Sequence, residues 1–193
     1  MIYPNVTLSS KNKYVWFRNP KVASTTILHH LHENTDVSYC SRQDLYKLES
    51  TYPIKGMFKF TFVRNPWDRL ASFYINNYES DKKNKEKPLP ANTFDEFVEI
   101  IDSSDVSKCN RHFILQTCIY PVNDIDFLGH FENFNNDFNY VCDTLRIKTK
   151  NWGHRNRSKR SKRYTEYYDS KTKKIVERKY AQDIELLKYK FGD

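Results

Sequence analysis

Apolar residues along this chain fall into short continuous runs and into stripes at helical spacing. The first 13 residues carry neither and read as an irregular lead-in. Tyr14 to Phe17 is an unbroken apolar, aromatic run that suits a buried strand. Beyond an Asn19-Pro20 break, Ile27, Leu28 and Leu31 predict a helix from about Ser24 to Glu33. Ser41 is placed to cap a short helix carrying Leu45 and Leu48, which Pro53 and Gly56 bring to an end. Met57 to Val63 is the clearest strand, aromatic and β-branched with partial alternation. A second break, Asn65-Pro66, opens a helix from about Trp67 to Tyr78 with Leu70, Phe73 and Tyr74 inward. Strand, Arg-Asn-Pro and helix thus occur twice, as a local echo with nothing further repeated.

Residues 79–92 are charged and proline-containing and read as a loop. Thr93 with Glu96 makes a capping box for a helix whose core face is Phe94, Phe97, Ile100 and Ile101. A further helix is expected around Val106 to Thr117, a strand over Ile125 to His130, and a helix from Asn133 to Leu145 using Phe134, Phe138, Val141 and Leu145. A basic loop, 146–163, precedes a last helix over about 171–190 with Ile175, Val176, Tyr180, Ile184 and Leu187 at helical spacing. Strands alternating with helices predict an α/β fold with a parallel sheet, and no boundary divides the 193 residues into more than a single domain.

Charge narrows the partners. The formal net charge of +8 favours anions: a nucleotide, an acidic glycan, nucleic acid or a membrane face. Part of it is concentrated from Arg155 to Arg163. The four cysteines, Cys40, Cys109, Cys118 and Cys142, are widely spaced and fit neither a zinc site nor a disulfide framework, so free thiols in a reducing compartment are expected. No signal-peptide pattern opens the sequence and no apolar run approaches a spanning helix, so the expected location is cytoplasmic, without a transmembrane segment.

The first strand-turn-helix carries candidate chemistry. Lys21 follows the turn, and Ser24, Thr25 and Thr26 open the helix, where backbone N–H groups and the helix dipole favour a phosphate. The bland alternative is a solvated lysine beside ordinary helix-capping hydroxyls. The chain has only 4 glycines, at positions 56, 129, 153 and 192, and none near this turn. That excludes a Walker loop and a Rossmann fingerprint, both of which need glycine to bring backbone against phosphate.

The run PKVASTTI, with FVRNPWDRLASFY from Phe62 to Tyr74, resembles the paired phosphosulfate-binding elements of the sulfotransferases that use 3′-phosphoadenosine 5′-phosphosulfate (PAPS). The similarity is greatest to the carbohydrate branch that includes the chondroitin, dermatan and heparan enzymes. FLGHFENFNNDF, and HRNRS followed by RYTEYYD, match that branch more loosely, so the resemblance runs from residue 14 nearly to the end. It implies a P-loop-like three-layer α/β fold, with a central mainly parallel sheet flanked by helices. It also implies PAPS as co-substrate, no metal, and sulfuryl transfer to a hydroxyl, on a carbohydrate or another acceptor that is possibly acidic.

The resemblance assigns Lys21, Val22, Ala23, Ser24, Thr25 and Thr26 to the 5′-phosphosulfate loop, with Lys21 also stabilising the leaving group. Arg64 and Ser72 stand at the family's 3′-phosphate positions, eight residues apart. Arg155, Asn156 and Ser158 fall where the family closes over the nucleotide. Arginine suits a terminal phosphate because its fork donates two hydrogen bonds. Arg69, on the same helix, reads as an exposed salt-bridging residue.

The resemblance to the heparan 2-O enzymes implies a histidine base upstream of the second element, but no histidine lies between His32 and His112 here. His112, which with Gln116 forms a His-x-x-x-Gln arrangement, is the first candidate for base or substrate contact, and Glu132 the second; structural roles for both stay open. His29 and His30 read as structural. The rival functions are a nucleotide-dependent kinase, against which the missing glycines argue, and a non-catalytic anion- or RNA-binding protein using the basic loop. No nucleic-acid motif accompanies that loop, and no nucleic-acid partner is expected.

Overall fold

The structure is a computed structural model that describes residues 5–48, 54–79, 89–152 and 162–193. The chain divides into two compact units, each made from two stretches of sequence. The first comprises Met1–Val63 and Ile119–Arg155, the second Arg64–Cys118 and Asn156–Asp193.

The first unit is built on a five-stranded sheet of β1 (Val6–Ser9), β2 (Tyr14–Phe17), β3 (Ser38–Cys40), β4 (Phe58–Val63) and β5 (Phe127–His130), in the order β3-β1-β2-β4-β5. The expected parallel pairing is found among β2, β4 and β5. On the other side β1 pairs antiparallel with both β2 and β3, which makes the sheet mixed. β1 corrects the reading of residues 1–13 as irregular. Val6 and Leu8 alternate with the polar Thr7 and Ser9, but the run is only four residues long and the polar pair is the one fully buried, so the pattern is a weak signal. β3 is a second strand that the sequence does not announce: two of its three residues are exposed.

Helices flank the sheet: α1 (Ser24–Asn34) and α2 (Arg42–Leu48), and, later in the chain, α5 (Phe134–Thr144). Strand periodicity puts Tyr14, Trp16, Phe60 and Phe62 on one face, where they form a single buried cluster with Ile27 and Leu31 of α1 and Phe138, Val141 and Cys142 of α5. Ser41 caps α2 as expected, its Oγ accepting the N–H of Asp44 at 3.0 Å. β5 and α5 require glycine at 129: a Cβ there would lie 2.4 Å from the buried ring of Phe62. The parallel strands β2, β4 and β5 all run toward the same edge, and the chain leaves β2 there for the turn carrying Lys21.

The second unit is helical. It holds α3 (Pro66–Tyr74), which continues as a π turn over Ile75–Glu79, α4 (Phe94–Ser103), α6 (Ser170–Lys179) and α7 (Ala181–Leu187). Phe73, Phe97, Phe113, Val176 and Tyr180 lie at its core. Thr93 caps α4, but Glu96 reaches the N–H of Asn92 at 2.8 Å rather than that of Thr93, so the expected capping box is only half formed. The expected last helix is divided at Tyr180, whose φ and ψ of −108° and 21° end α6.

The helix expected over 106–117 does not form; turns lead to a single 3-10 turn at Gln116–Cys118. Side chains take the backbone groups a helix would have used. The carbonyls of Ile114 and Arg111 accept from Arg69 at 2.9 and 3.2 Å, and that of Phe113 from the hydroxyl of Tyr180. Arg69 is therefore not the exposed residue the sequence suggested: it is fully buried. Burial holds its guanidinium below its ordinary pKa, against the favourable fields of Tyr180 and Asp183.

Candidate active site

The turn between β2 and α1 takes a shape usually reserved for glycine. Lys21 and Ala23 have φ of 70° and 63°, left-handed values that cost about 1–2 kcal/mol in any residue with a Cβ. Buried Val22 pins the turn to the sheet core between them. Ser24 donates its hydroxyl to the carbonyl of Asn19 and closes the loop. Ala23 occupies the N-cap position without a side chain to cap the helix. The N–H groups of Thr26 and Ile27 bond back to its carbonyl, at 2.9 and 3.2 Å. Among the described residues the N–H groups of Ala23, Ser24 and Thr25 donate to none. Consecutive backbone donors in a left-handed turn at a helix start form a concavity suited to an anion. Thr25 is exposed at this opening, with Lys21, Ser24 and Thr26 partly so. The glycine-poor sequence thus supplies the cradle through strained residues, without glycine.

The second candidate pair lies in the helical unit. Asn65 caps α3, its Oδ1 accepting from Trp67 N at 3.1 Å and Asp68 N at 3.5 Å, and Pro66 follows at the first helical position. Arg64, just outside the helix, lies over residues four and eight positions on. Its Nε donates to Asp68 Oδ2 at 2.7 Å and its Nη2 meets the same oxygen at 2.6 Å. Its Nη1 donates to Ser72 Oγ at 3.2 Å. Arg64 and Ser72 are thus brought together, each 6% exposed. Asp68 is a site residue the sequence reading missed; its i, i+4 spacing from Arg64 is the signal that would have found it. It takes two edges of the fork and directs the third toward Ser72.

His112 lies in the same unit, partly exposed, its ring centroid 5.2 Å from that of Phe73. Asn110 Oδ1 accepts the backbone N–H of His112 at 3.0 Å, which fixes the orientation of the amide. The same oxygen faces His112 Nδ1 at 3.0 Å. A carbonyl oxygen only accepts, so Nδ1 carries the proton and the neutral ring has its lone pair on Nε2. That tautomer is suited to accept a proton from a hydroxyl.

Glu132 sits in the first unit, exposed in a 3-10 turn (Phe131–Asn133) after β5. It does not cap α5. Asp137 ties that corner instead, accepting from His130 N at 2.6 Å and Asn133 Nδ2 at 2.7 Å. His30 is structural as expected: it is 2% exposed, bonded through Nε2 to the carbonyl of Lys148 at 2.7 Å, with its ring edge-on to Trp152. His29 is exposed beside Glu33. Arg155, Asn156 and Ser158 lie outside the described residues.

A glycine-free turn with outward backbone donors thus follows the first parallel strand, and an Arg-Ser pair follows the next. The sulfotransferase family model matches residues 4–190, and the chain belongs to that family. Among its relatives, carbohydrate sulfotransferase 14 of Mus musculus is 26% identical over 175 residues, covering 74% of this chain and 46% of the relative. The Homo sapiens protein of that name is 29% identical over 122 residues, covering 53% and 32%, and the Danio rerio one 25% over 163 residues, covering 74% and 44%. The chain thus spans less than half the length of these curated relatives. No solved structure gives a significant match.

Proposed function

We propose that the chain is a sulfotransferase that moves a sulfuryl group from PAPS to a hydroxyl of a carbohydrate. Residues 1–193 are read as one sulfotransferase domain, since the family match runs through both units and each unit draws on two stretches of chain. The fold is read as P-loop-like because a parallel strand feeds an anion-binding turn and a helix in unbroken succession. The carbohydrate acceptor follows from the names of the relatives.

The observation that carries this reading is the contact of Arg64 Nη1 with Ser72 Oγ, at the positions the family uses for a 3′-phosphate. ATP has no such group, so the pair favours PAPS over a kinase's donor. Bound PAPS would supply the activated sulfuryl group and, in adenosine 3′,5′-bisphosphate, a stable leaving group. Lys21 and the N–H groups of Ala23, Ser24 and Thr25 are assigned to hold the 5′ end, where a positive charge and fixed donors favour negative charge building on oxygen. Ser24, whose hydroxyl proton is committed to Asn19, acts there through its N–H and as the closure of the loop. Arg64 and Ser72 are assigned to the 3′-phosphate. His112 is assigned as the base, worth about 10²–10⁴-fold, since its tautomer leaves Nε2 able to take the acceptor's proton. Glu132, exposed in the turn after β5, is assigned as an acceptor contact.

Calorimetry tests the reading. Adenosine 3′,5′-bisphosphate should bind without magnesium, and Arg64→Ala should abolish the preference for the 3′-phosphate. Tight binding of magnesium-ATP with the bisphosphate ignored would establish the kinase reading instead. Tight, steeply salt-dependent RNA binding with the bisphosphate ignored would establish the RNA-binding one.

A further inference from the structure

The side-chain amide of Gln116 brackets the backbone of Arg64. β4 ends at Val63, so the strand ladder stops one residue short of the arginine. The N–H of Arg64 donates instead to Gln116 Oε1 at 3.0 Å, and Gln116 Nε2 donates to the Arg64 carbonyl at 2.8 Å. Gln116 is fully buried and is itself fixed from behind. Its N–H donates to Asp183 Oδ2 at 2.8 Å, and the other oxygen of Asp183 accepts from the N–H and hydroxyl of Thr117, at 3.0 and 2.8 Å. Asp183, on α7, is fully buried as well. Every group in this relay belongs to the helical unit.

We propose that Gln116, set by Asp183, is the positioning residue of the phosphate-binding arginine. Bonding both the N–H and the C=O of Arg64 removes the freedom of its backbone torsions and leaves only the side chain to be placed. Asp68 and Ser72 then place it. Preorganising the guanidinium in this way avoids an ordering cost when the ligand binds, and a small displacement of its base would misalign the fork. The inference rests on the reading of Arg64 as the 3′-phosphate ligand.

The test is the ratio of affinities for adenosine 3′,5′-bisphosphate and adenosine 5′-monophosphate, each measured by calorimetry. Gln116→Met keeps the length of the side chain and loses both hydrogen bonds. It should lower that ratio about tenfold or more, with affinity for the monophosphate held within about twofold. A merely structural role would weaken both ligands alike and leave the ratio unchanged, which would overturn the proposal. In an Arg64→Ala background, adding Gln116→Met should cost bisphosphate affinity nothing further; an additive loss would equally overturn it. Should Gln116→Met fail to fold, Asp183→Asn, which keeps the size and one acceptor, should lower the ratio by a smaller factor, and an unchanged ratio would again refute the relay. Wild-type protein with no preference for the bisphosphate would overturn the assignment of Arg64 itself, an outcome visible before any variant is made.

Discussion

Arg69→Met is expected to destabilise the protein by about 3 kcal/mol, from terms that partly oppose one another. The guanidinium is fully buried and donates to the carbonyls of Ile114 and Arg111 at 2.9 and 3.2 Å. Leaving two part-buried carbonyls without these donors costs about 1–2 kcal/mol each, below the upper end for fully buried groups. Asp183 also loses a nearby cation, although its three donors from Gln116 and Thr117 remain. Against this, methionine packs well in irregular space and relieves the burial of a charge. For a chain of this size 1 kcal/mol shifts Tm by about 2–4 °C, so a fall of about 6–12 °C is expected. Urea denaturation and calorimetry of wild type, Arg69→Met and Arg69→Lys would measure it, the lysine variant falling between because its ammonium reaches fewer carbonyls. A change within about 0.5 kcal/mol, as for a surface substitution, would refute the buried role.

Gly129→Ala should cost about 1–3 kcal/mol in chemical denaturation, because the added methyl meets Phe62, whose ring is confined by Phe60, Phe127, Phe134 and Phe138; a neutral outcome would mean that the ring can yield. Burial holds the His30 imidazole below its ordinary pKa, with the bond to Lys148 opposing. The unfolded chain therefore takes up this proton first as the pH falls. Stability should decline from about pH 6.5 downward until folded His30 titrates, and be flat above. That slope should diminish in His30→Gln, and an unchanged slope would assign it to other groups. His112→Gln should lower turnover by about 10²–10⁴-fold while bisphosphate affinity stays within twofold; undiminished turnover would remove His112 as the base.

Much of the first unit was legible because its signals are local. Tyr14 to Phe17 and Met57 to Val63 are apolar enough to be buried strands wherever they occur, and both Asn-Pro breaks are followed by helices. The spacing of Arg64 and Ser72 was also readable, being two helical turns. What escaped depends on partners far away in sequence. β1 is a four-residue alternation of Val6 and Leu8 with Thr7 and Ser9, too short to stand out, and its polar pair is buried only through the pairing with β2 and β3. The stretch 106–117 has helical spacing, yet Arg69, Tyr180 and Asp183 satisfy its backbone from elsewhere in the chain. Arg69 looked exposed because a charged residue on a helix usually is, and no local feature marks the carbonyls waiting for it. The left-handed turn at Lys21 and Ala23 was hidden for a related reason: glycine is the usual sign of such a shape, and here strain replaces it.

The central claim is sulfuryl transfer from PAPS, and the most direct test follows the group itself. The protein is incubated with PAPS carrying radiolabelled sulfur and a panel of glycans, without added metal, beside Lys21→Ala. Label should pass to a glycan hydroxyl in the wild type, and Lys21→Ala should still bind adenosine 3′,5′-bisphosphate but transfer none. No transfer to any acceptor by a protein that binds the bisphosphate, or full transfer by Lys21→Ala, would contradict the account.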